Sequence, residues 1–256
     1  MMQNAEITKK RMKKRYVALI VVLVIIVTAG IWFYQFIPFG YRMSVPIRRF
    51  SEVAPNVYIH KDFSGDRAEA VRIIDEAEKR VEGFFGEITS NPMIILCDDE
   101  KTIDRLGGDH DTRTIGIIKV YSCISLSSEF LNVDVAAHEL THAETHKRVY
   151  NGRIFLKPLI PVWFDEGVAT QNDFRAKYDE NAWRSATNNG ENLVVLTEFA
   201  GPDKFYAGGD EVNKYLYTLS RHELKEWIER NGVGALLELL DGVNHGEDFN
   251  ELYFER

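Results

Sequence analysis

The pentapeptide HELTH, at residues 138–142, restricts how this chain can fold more than any other stretch. On an α-helix, residues four apart differ by about 40° around the axis and by about 6 Å along it. His138 and His142 would therefore project side by side from a helix, and both imidazoles could reach one metal ion. Glu139 is turned by roughly 100° from His138, which would place it beside a water molecule bound to that ion, in the position of a general base.

The flanking sequence favours a helix at this motif. Asn132 or Asp134 can cap its N-terminus. Its buried face would be formed by Val135, Ala136 and Leu140. Because the chain has 7 histidines, a chance match to H-E-x-x-H has a probability on the order of one or two per hundred. The motif alone leaves an accidental match open, and a metal site needs a third ligand.

An acidic pair in an otherwise apolar stretch offers that ligand. A catalytic zinc ion usually takes three protein ligands and keeps a fourth position open for water or substrate. The segment IPVWFDEGVATQ, at residues 160–171, contains Asp165 and Glu166. A carboxylate among core residues is costly unless it is paired or bound to a metal. We therefore expect Glu166 to be the third ligand.

HELTH followed by PVWFDEGVA resembles the gluzincin metallopeptidases, whose second motif has W-x-x-E-G-x-A character. The region over residues 91–240 is similar to the peptidase MA-like domains of this group. The resemblance implies a zincin-like fold with one Zn²⁺ ion, bound by His138, His142 and Glu166. It also implies that Glu139 acts as the general base and then as the general acid.

The resemblance extends to groups around the ion. Asp165 would hold a ligand histidine from outside the coordination sphere, and Gly167 would let two helices approach closely. A residue on a later helix would stabilise the oxyanion, and Tyr217 is the first candidate. Its rivals are Tyr215, Tyr206 and His222.

A third histidine, His146, follows His142 by four residues in HELTHAETH. Three ligands on one straight helix would spread over roughly 12 Å and cannot close around one ion. We therefore expect His146 to lie at the rim of the site, and an alternative ligand set or a second metal remains the other reading.

The N-terminal run VALIVVLVIIVTAGIWFY, at residues 17–34, carries no charge. At about 1.5 Å per residue, the run to Pro38 approximates the thickness of a bilayer core. Lysines and arginines between residues 9 and 15 precede it, which predicts a cytoplasmic N-terminus. The sequence thus predicts a single-pass protein of the cell membrane that contacts the lipid bilayer through this helix and has an extracytoplasmic catalytic domain. The alternatives are a buried core helix and a cleavable signal peptide.

Hydrophobic periodicity predicts strands before HELTH and mostly helices after it. The predicted fold class is α+β, with a small mixed β-sheet followed by a mainly helical, zincin-like part and preceded by one transmembrane helix. The predicted domains are a basic cytoplasmic tail (1–16), a transmembrane anchor (17–37), a juxtamembrane linker (38–55) and a metallopeptidase domain (56–256). Cys97 and Cys123 lie in no zinc-binding C-x-x-C spacing and are expected to be buried thiols.

The function that the sequence favours is hydrolysis of peptide bonds by a membrane-anchored zinc peptidase. The absence of a G-x-M-E-N amine-binding motif favours an endopeptidase. The resemblance to gluzincins implies that a peptide or protein substrate adds to an edge strand, in the place that CISLSS, residues 123–128, occupies. The alternative is a non-catalytic, membrane-tethered zinc domain that binds a peptide or an envelope component. A net charge of -8, with no basic face beyond the N-terminus, argues against nucleic acid as a partner.

Overall fold

The computed structural model describes residues 15–31, 38–106, 112–114, 123–150 and 158–255. Most of the predicted basic tail, the part of the predicted strand region over residues 115–122, and residues 151–157 of the loop after HELTH lie outside this described part.

A mixed sheet forms the first half of the fold. Its strands are β1 (Phe50–Ala54), β2 (Val57–His60), β3 (Met93–Leu96), β4 (Thr112–Thr114) and β5 (Cys123–Leu126), in the order β1-β2-β3-β5-β4. Strands β2, β3 and β5 run parallel, and β1 and β4 pair antiparallel at the two edges. Every residue of the three parallel strands is buried, as is usual for strands covered on both faces.

The two faces of the sheet belong to two separate apolar clusters. Ile94 and Ile124, which are register partners, face the larger cluster, which contains the helix that carries HELTH. Ile95, Cys97 and Cys123 face the smaller one. Both cysteines are free and buried, as predicted.

The predicted edge strand is in fact an interior strand. β5, which begins at Cys123, pairs with β3 on one side and with β4 on the other. Among the described strands, β4 lies at the edge instead. Sequence patterning missed β4 because its three residues, Thr-Arg-Thr, show no apolar alternation.

The helices account for most of the chain. They are α1 (residues 15–31), α2 (Pro38–Met43), α3 (Arg67–Phe85), α4 (Glu100–Leu106), α5 (Val133–Tyr150), α6 (Val162–Ala169), α7 (Glu180–Thr187), α8 (Pro202–Phe205), α9 (Gly209–His245) and α10 (Phe249–Phe254). Helix α9 is broken at Gly232, where φ is 83°. A mixed sheet followed by helices fits the α+β class.

The predicted membrane-spanning helix over residues 17–37 is wrong. In the described part of the chain, no helix is both long enough and apolar enough to cross a bilayer. The apolar run is helical over residues 15–31. Residues 32–37 of the predicted span lie outside the described part of the chain.

The folded part begins before residue 56, within the range 38–55 that the sequence predicts as a linker. β1 lies in this range and pairs with β2. Tyr41 and Val45 are buried in the smaller apolar cluster beside Ile95. These residues therefore pack with the sheet.

Gly167 lies where α6 meets α9, as the predicted close approach requires. A Cβ at this position would lie 2.7 Å from the backbone oxygen of Ser220 and 2.8 Å from the side chain of Leu224. We expect Gly167→Ala to lower the free energy of unfolding by about 1–3 kcal/mol, because the two helices would have to move apart. Urea unfolding of the full-length chain measures this change.

The matched control is Gly83→Ala in α3, where a Cβ would meet no atom within 4 Å. We expect this variant to be as stable as the parent or more stable by up to about 1 kcal/mol, since alanine favours helix over glycine. Equal effects of the two substitutions would show that the contact between α6 and α9 is not the cause.

Candidate metal centre

Helix α5 carries the HELTH motif, and its ends and faces are fixed by the surrounding structure. The side chain of Asn132 accepts a hydrogen bond from Val135 N at 3.0 Å, so Asn132 is the residue that caps the helix. Asp134 instead forms an ion pair with Arg80 of α3, at 2.5 Å. The cap begins the helix one turn before the motif, so that both histidines fall on helical backbone.

A buried carboxylate holds the side of α5 that lies opposite to the two motif histidines. Glu144 accepts hydrogen bonds from the backbone nitrogens of Thr89, at 2.9 Å, and Ser90, at 2.7 Å. Arg148, one turn later on α5, donates to the same carboxylate at 2.7 Å. These contacts hold α5 against the segment that links α3 to β3, which limits rotation of the helix and of the motif on it.

Two imidazole nitrogens and one carboxylate oxygen form a nearly equilateral triangle. The Nε2 atoms of His138 and His142 are 3.1 Å apart. Glu166 Oε2 lies 3.3 Å from the first and 3.2 Å from the second. Bonds of about 2.0–2.2 Å around a tetrahedral zinc ion separate its ligand atoms by roughly 3.3–3.5 Å, which is close to these distances. The three residues are close enough to hold one metal ion.

Helix α6 delivers Glu166 to this triangle. Its neighbours Trp163 and Phe164 are fully buried, so the helix is anchored by its apolar residues. Glu166 Oε2 is buried and accepts no hydrogen bond from the described residues. A buried carboxylate oxygen without a donor is costly, and a cation would remove that cost. The donor set therefore fits a metal ion.

The other oxygen of Glu166 is held by two tyrosines. Tyr206 and Tyr217 both donate hydrogen bonds to Oε1, the second at 3.1 Å. Burial raises the pKa of Glu166, but the nearby charges of His142 and His138 outweigh it and hold the pKa well below its usual range. The carboxylate is therefore ionised, as a metal ligand must be.

Each motif histidine has a carboxylate beside its other ring nitrogen. Asp165 Oδ1 lies 3.0 Å from His142 Nδ1, in the position that the sequence predicts for Asp165. Asp173 Oδ2 lies 3.6 Å from His138 Nδ1. Neither Nδ1 atom has a hydrogen-bond partner among the described residues, so both are charge contacts, and the one to Asp173 is longer than a hydrogen bond. A carboxylate in this position can orient an imidazole and direct Nε2 towards an ion.

His146, which the sequence predicts to lie at the rim of the site, is partly buried beside the triangle. Its Nε2 lies 2.7 Å from Asp165 Oδ2, within hydrogen-bonding distance. His142, His146 and Asp165 form a second group close enough to hold a metal ion. Burial raises the pKa of Asp165, but the charges of His146 and His142 hold it well below its usual range.

The structure separates the four candidates for the oxyanion donor. Tyr217 stacks on Tyr178 with ring centroids 5.5 Å apart, and its ring centroid lies 6.2 Å from that of His138. Burial, followed by the Glu166 carboxylate, raises the pKa of Tyr217 well above its ordinary value, so its hydroxyl is a donor.

The other two candidates lie elsewhere. Tyr215 donates to the backbone oxygen of Asn192 at 2.8 Å. His222 stacks on Trp183, with ring centroids 3.7 Å apart. Only the hydroxyls of Tyr206 and Tyr217 therefore reach the cluster.

Sequence reasoning missed Asp173. The residue is fully buried and is paired with Arg175 through hydrogen bonds to both of its oxygens. The stretch QNDFR, at residues 171–175, gives no periodic signal that would mark one of its polar residues as buried. Its role depends on the turn after α6, which brings Asn172 within 2.9 Å of Thr141 Oγ1 on α5.

The fold and the cluster define a class: an α+β protein with a buried His-His-Glu group that can hold a metal ion. No family model matches the chain, and no curated protein matches it. The resemblance to gluzincins thus rests on the two short motifs alone, and the geometry shows a His-His-Glu group that could hold a metal ion.

Proposed function

We propose that this protein is a zinc-dependent peptidase that hydrolyses internal peptide bonds. The observation that carries the proposal is the triangle formed by His138 Nε2, His142 Nε2 and Glu166 Oε2, with sides of 3.1–3.3 Å. Two imidazoles and one carboxylate suit zinc, whereas Mg²⁺ and Ca²⁺ prefer sites made of oxygen ligands. Three protein ligands would leave a fourth position for the reaction.

The mechanism assigns the proton transfers to Glu139. When bound, zinc polarises a carbonyl group and lowers the pKa of water towards neutrality. Glu139 follows His138 directly on α5 and is buried. It would take the proton from the attacking water and deliver it to the leaving amine. Metal binding alone does not need this glutamate, which is why we favour the peptidase over a non-catalytic binding domain.

An extended substrate would pair with β4. This strand lies at the end of the sheet order and contacts α5, the helix that carries the motif. Addition of a peptide strand to a sheet edge uses backbone hydrogen bonds and is a common mode of peptide recognition. The substrate would therefore lie beside β4 and not beside β5, which already has two neighbours.

Tyr217 is our candidate for the oxyanion donor, and its comparison with Tyr206 gives a direct test. Tyr217 is packed against Tyr178, whereas Tyr206 is 44% exposed. A preorganised donor stabilises developing charge most effectively. We expect Tyr217→Phe to lower kcat by about 10²–10³-fold and Tyr206→Phe to have a much smaller effect. Steady-state kinetics on one peptide measures both, and a larger loss in the Tyr206 variant would exchange the two roles.

The proposed function is tested by incubating the full-length chain with a diverse peptide mixture and identifying the products by mass spectrometry. We expect cleavage at internal bonds, its loss on treatment with 1,10-phenanthroline, and its recovery on addition of zinc. A chain that holds one equivalent of zinc and cleaves no peptide would contradict the peptidase and favour the binding domain. A chain that holds no zinc would contradict both.

A further inference from the structure

A continuous row of polar contacts leads away from the metal centre through Asp165. One oxygen of this carboxylate lies 3.0 Å from His142 Nδ1, and the other lies 2.7 Å from His146 Nε2. All three side chains are largely buried, with 17% exposure for both Asp165 and His146. The peptidase mechanism proposed above does not use His146.

A second metal ion explains this group poorly. The Nε2 atom of His142 already belongs to the triangle with His138 and Glu166. An additional ion could use only His142 Nδ1, so the ring would have to lose both of its protons to serve two ions. Without that nitrogen, only His146 and Asp165 would remain as protein ligands, fewer than a closed zinc site takes.

We propose that His146 is a positioning residue that fixes Asp165, which in turn orients His142 for metal binding. The inference rests on the metal site of the proposed function. A carboxylate with one fixed contact can still turn about its terminal bond, whereas a contact to each oxygen fixes its plane. The two imidazoles on α5 thus hold Asp165 from both sides.

His146 is itself well placed to act as a fixed support. Its ring packs edge to face on Tyr150, with centroids 5.8 Å apart. Tyr150 is fully buried, and its hydroxyl accepts a hydrogen bond from Leu159 N at 3.0 Å. The support of Asp165 therefore extends from α5 to the start of the α6 segment.

The other half of the site has the same arrangement with a different support. Asp173, which faces His138 Nδ1, is held by the guanidinium of Arg175, whose Nε donates to both carboxylate oxygens, at 2.8 and 3.0 Å. Each ligand histidine thus has a carboxylate, and each carboxylate has a donor that fixes it. This parallel supports a positioning role for His146.

The experiment measures the zinc affinity of the full-length chain by competition with a chromophoric chelator. We expect His146→Leu to weaken zinc binding by up to about 10-fold, the lower end of the effect of losing a direct partner of a ligand histidine, because His146 acts through such a partner. His146→Gln keeps an N–H donor near the position of Nε2 and should recover most of that loss. In a chain that already carries Asp165→Asn, adding His146→Leu should lower the zinc affinity by less than about 3-fold, because Asp165, through which His146 acts, is already changed.

His245→Leu is the matched control. This histidine also lies near an aspartate, with its Nδ1 3.5 Å from Asp241 Oδ2, but the pair is exposed and lies at the end of α9. We expect its zinc affinity to equal that of the parent chain. Thermal unfolding of each metal-free variant checks that the chain is folded.

Three results would overturn the inference. The His146→Leu chain could bind zinc as tightly as the parent, or its loss of zinc affinity could add fully to that of Asp165→Asn. The parent chain could also bind a second equivalent of zinc that His146→Leu removes. The proposed function fails separately, because its failure is seen in the parent chain. A parent chain that binds zinc and cleaves no peptide still tests the role of His146.

Discussion

Glu139→Gln is expected to retain one equivalent of zinc and to lose peptide hydrolysis by about 10²–10⁴-fold, the usual contribution of a general base. The amide is nearly the same size as the carboxylate but cannot accept the proton of the attacking water. The three ligand atoms belong to other residues, so the metal-binding group remains intact. The measurements are elemental analysis and kcat/KM on a peptide that the parent chain cleaves.

Two comparisons make this result specific. Glu129→Gln changes an exposed glutamate before α5 and should leave both zinc content and activity unchanged. His142→Ala should lose zinc and activity together, because it removes a ligand. Parental activity in the Glu139→Gln chain would refute the proposed mechanism.

The second large effect is expected for Glu166→Gln, which should lose stoichiometric zinc. Loss of an outer partner of a ligand histidine usually weakens metal binding 10–100-fold, and loss of a ligand should cost more, so we expect a decrease of more than about 100-fold. The substitution also gives Tyr206 and Tyr217 a neutral acceptor in place of an ionised one. Competition with a chelator measures the affinity.

Asp165→Asn is the matched comparison, since it changes the adjacent carboxylate, which contacts His142 through Nδ1. Its zinc affinity should fall less than that of Glu166→Gln. Far-UV circular dichroism of the metal-free chains should show equal helix content. A Glu166→Gln chain that still holds a full equivalent of zinc would exclude Glu166 as a ligand.

The sequence predicted the part of the site that depends on local spacing. His138 and His142 come together because a helix places residues four apart on one face, and the cap at Asn132 marks where that helix begins. Glu166 could be found because a carboxylate in an apolar stretch needs a partner. The close approach of two helices at Gly167 was expected from the resemblance of the second motif to that of gluzincins, and the structure has it.

The features that the sequence failed to predict depend on tertiary contacts or belong to a strand too short to show a pattern. Asp173 reaches His138 only because the chain turns after α6, and no periodic pattern encodes that turn. The roles of Tyr206 and Tyr215 differ through packing that spacing cannot reveal. β4 is too short and too polar to be recognised. The apolar run at the N-terminus predicts a membrane span, whereas no helix in the described part of the chain is both long and apolar enough to cross a membrane.

The short stretch over residues 165–173 supplies one ligand and both of the carboxylates that face the ligand histidines. Its internal length is therefore as important as its composition. Adding or deleting one residue between Glu166 and Asp173 would move one carboxylate relative to the other by a full helical step of about 100°, so that both could not stay in place. Length variation among related chains should thus be excluded from this stretch and confined to the connection that precedes α6.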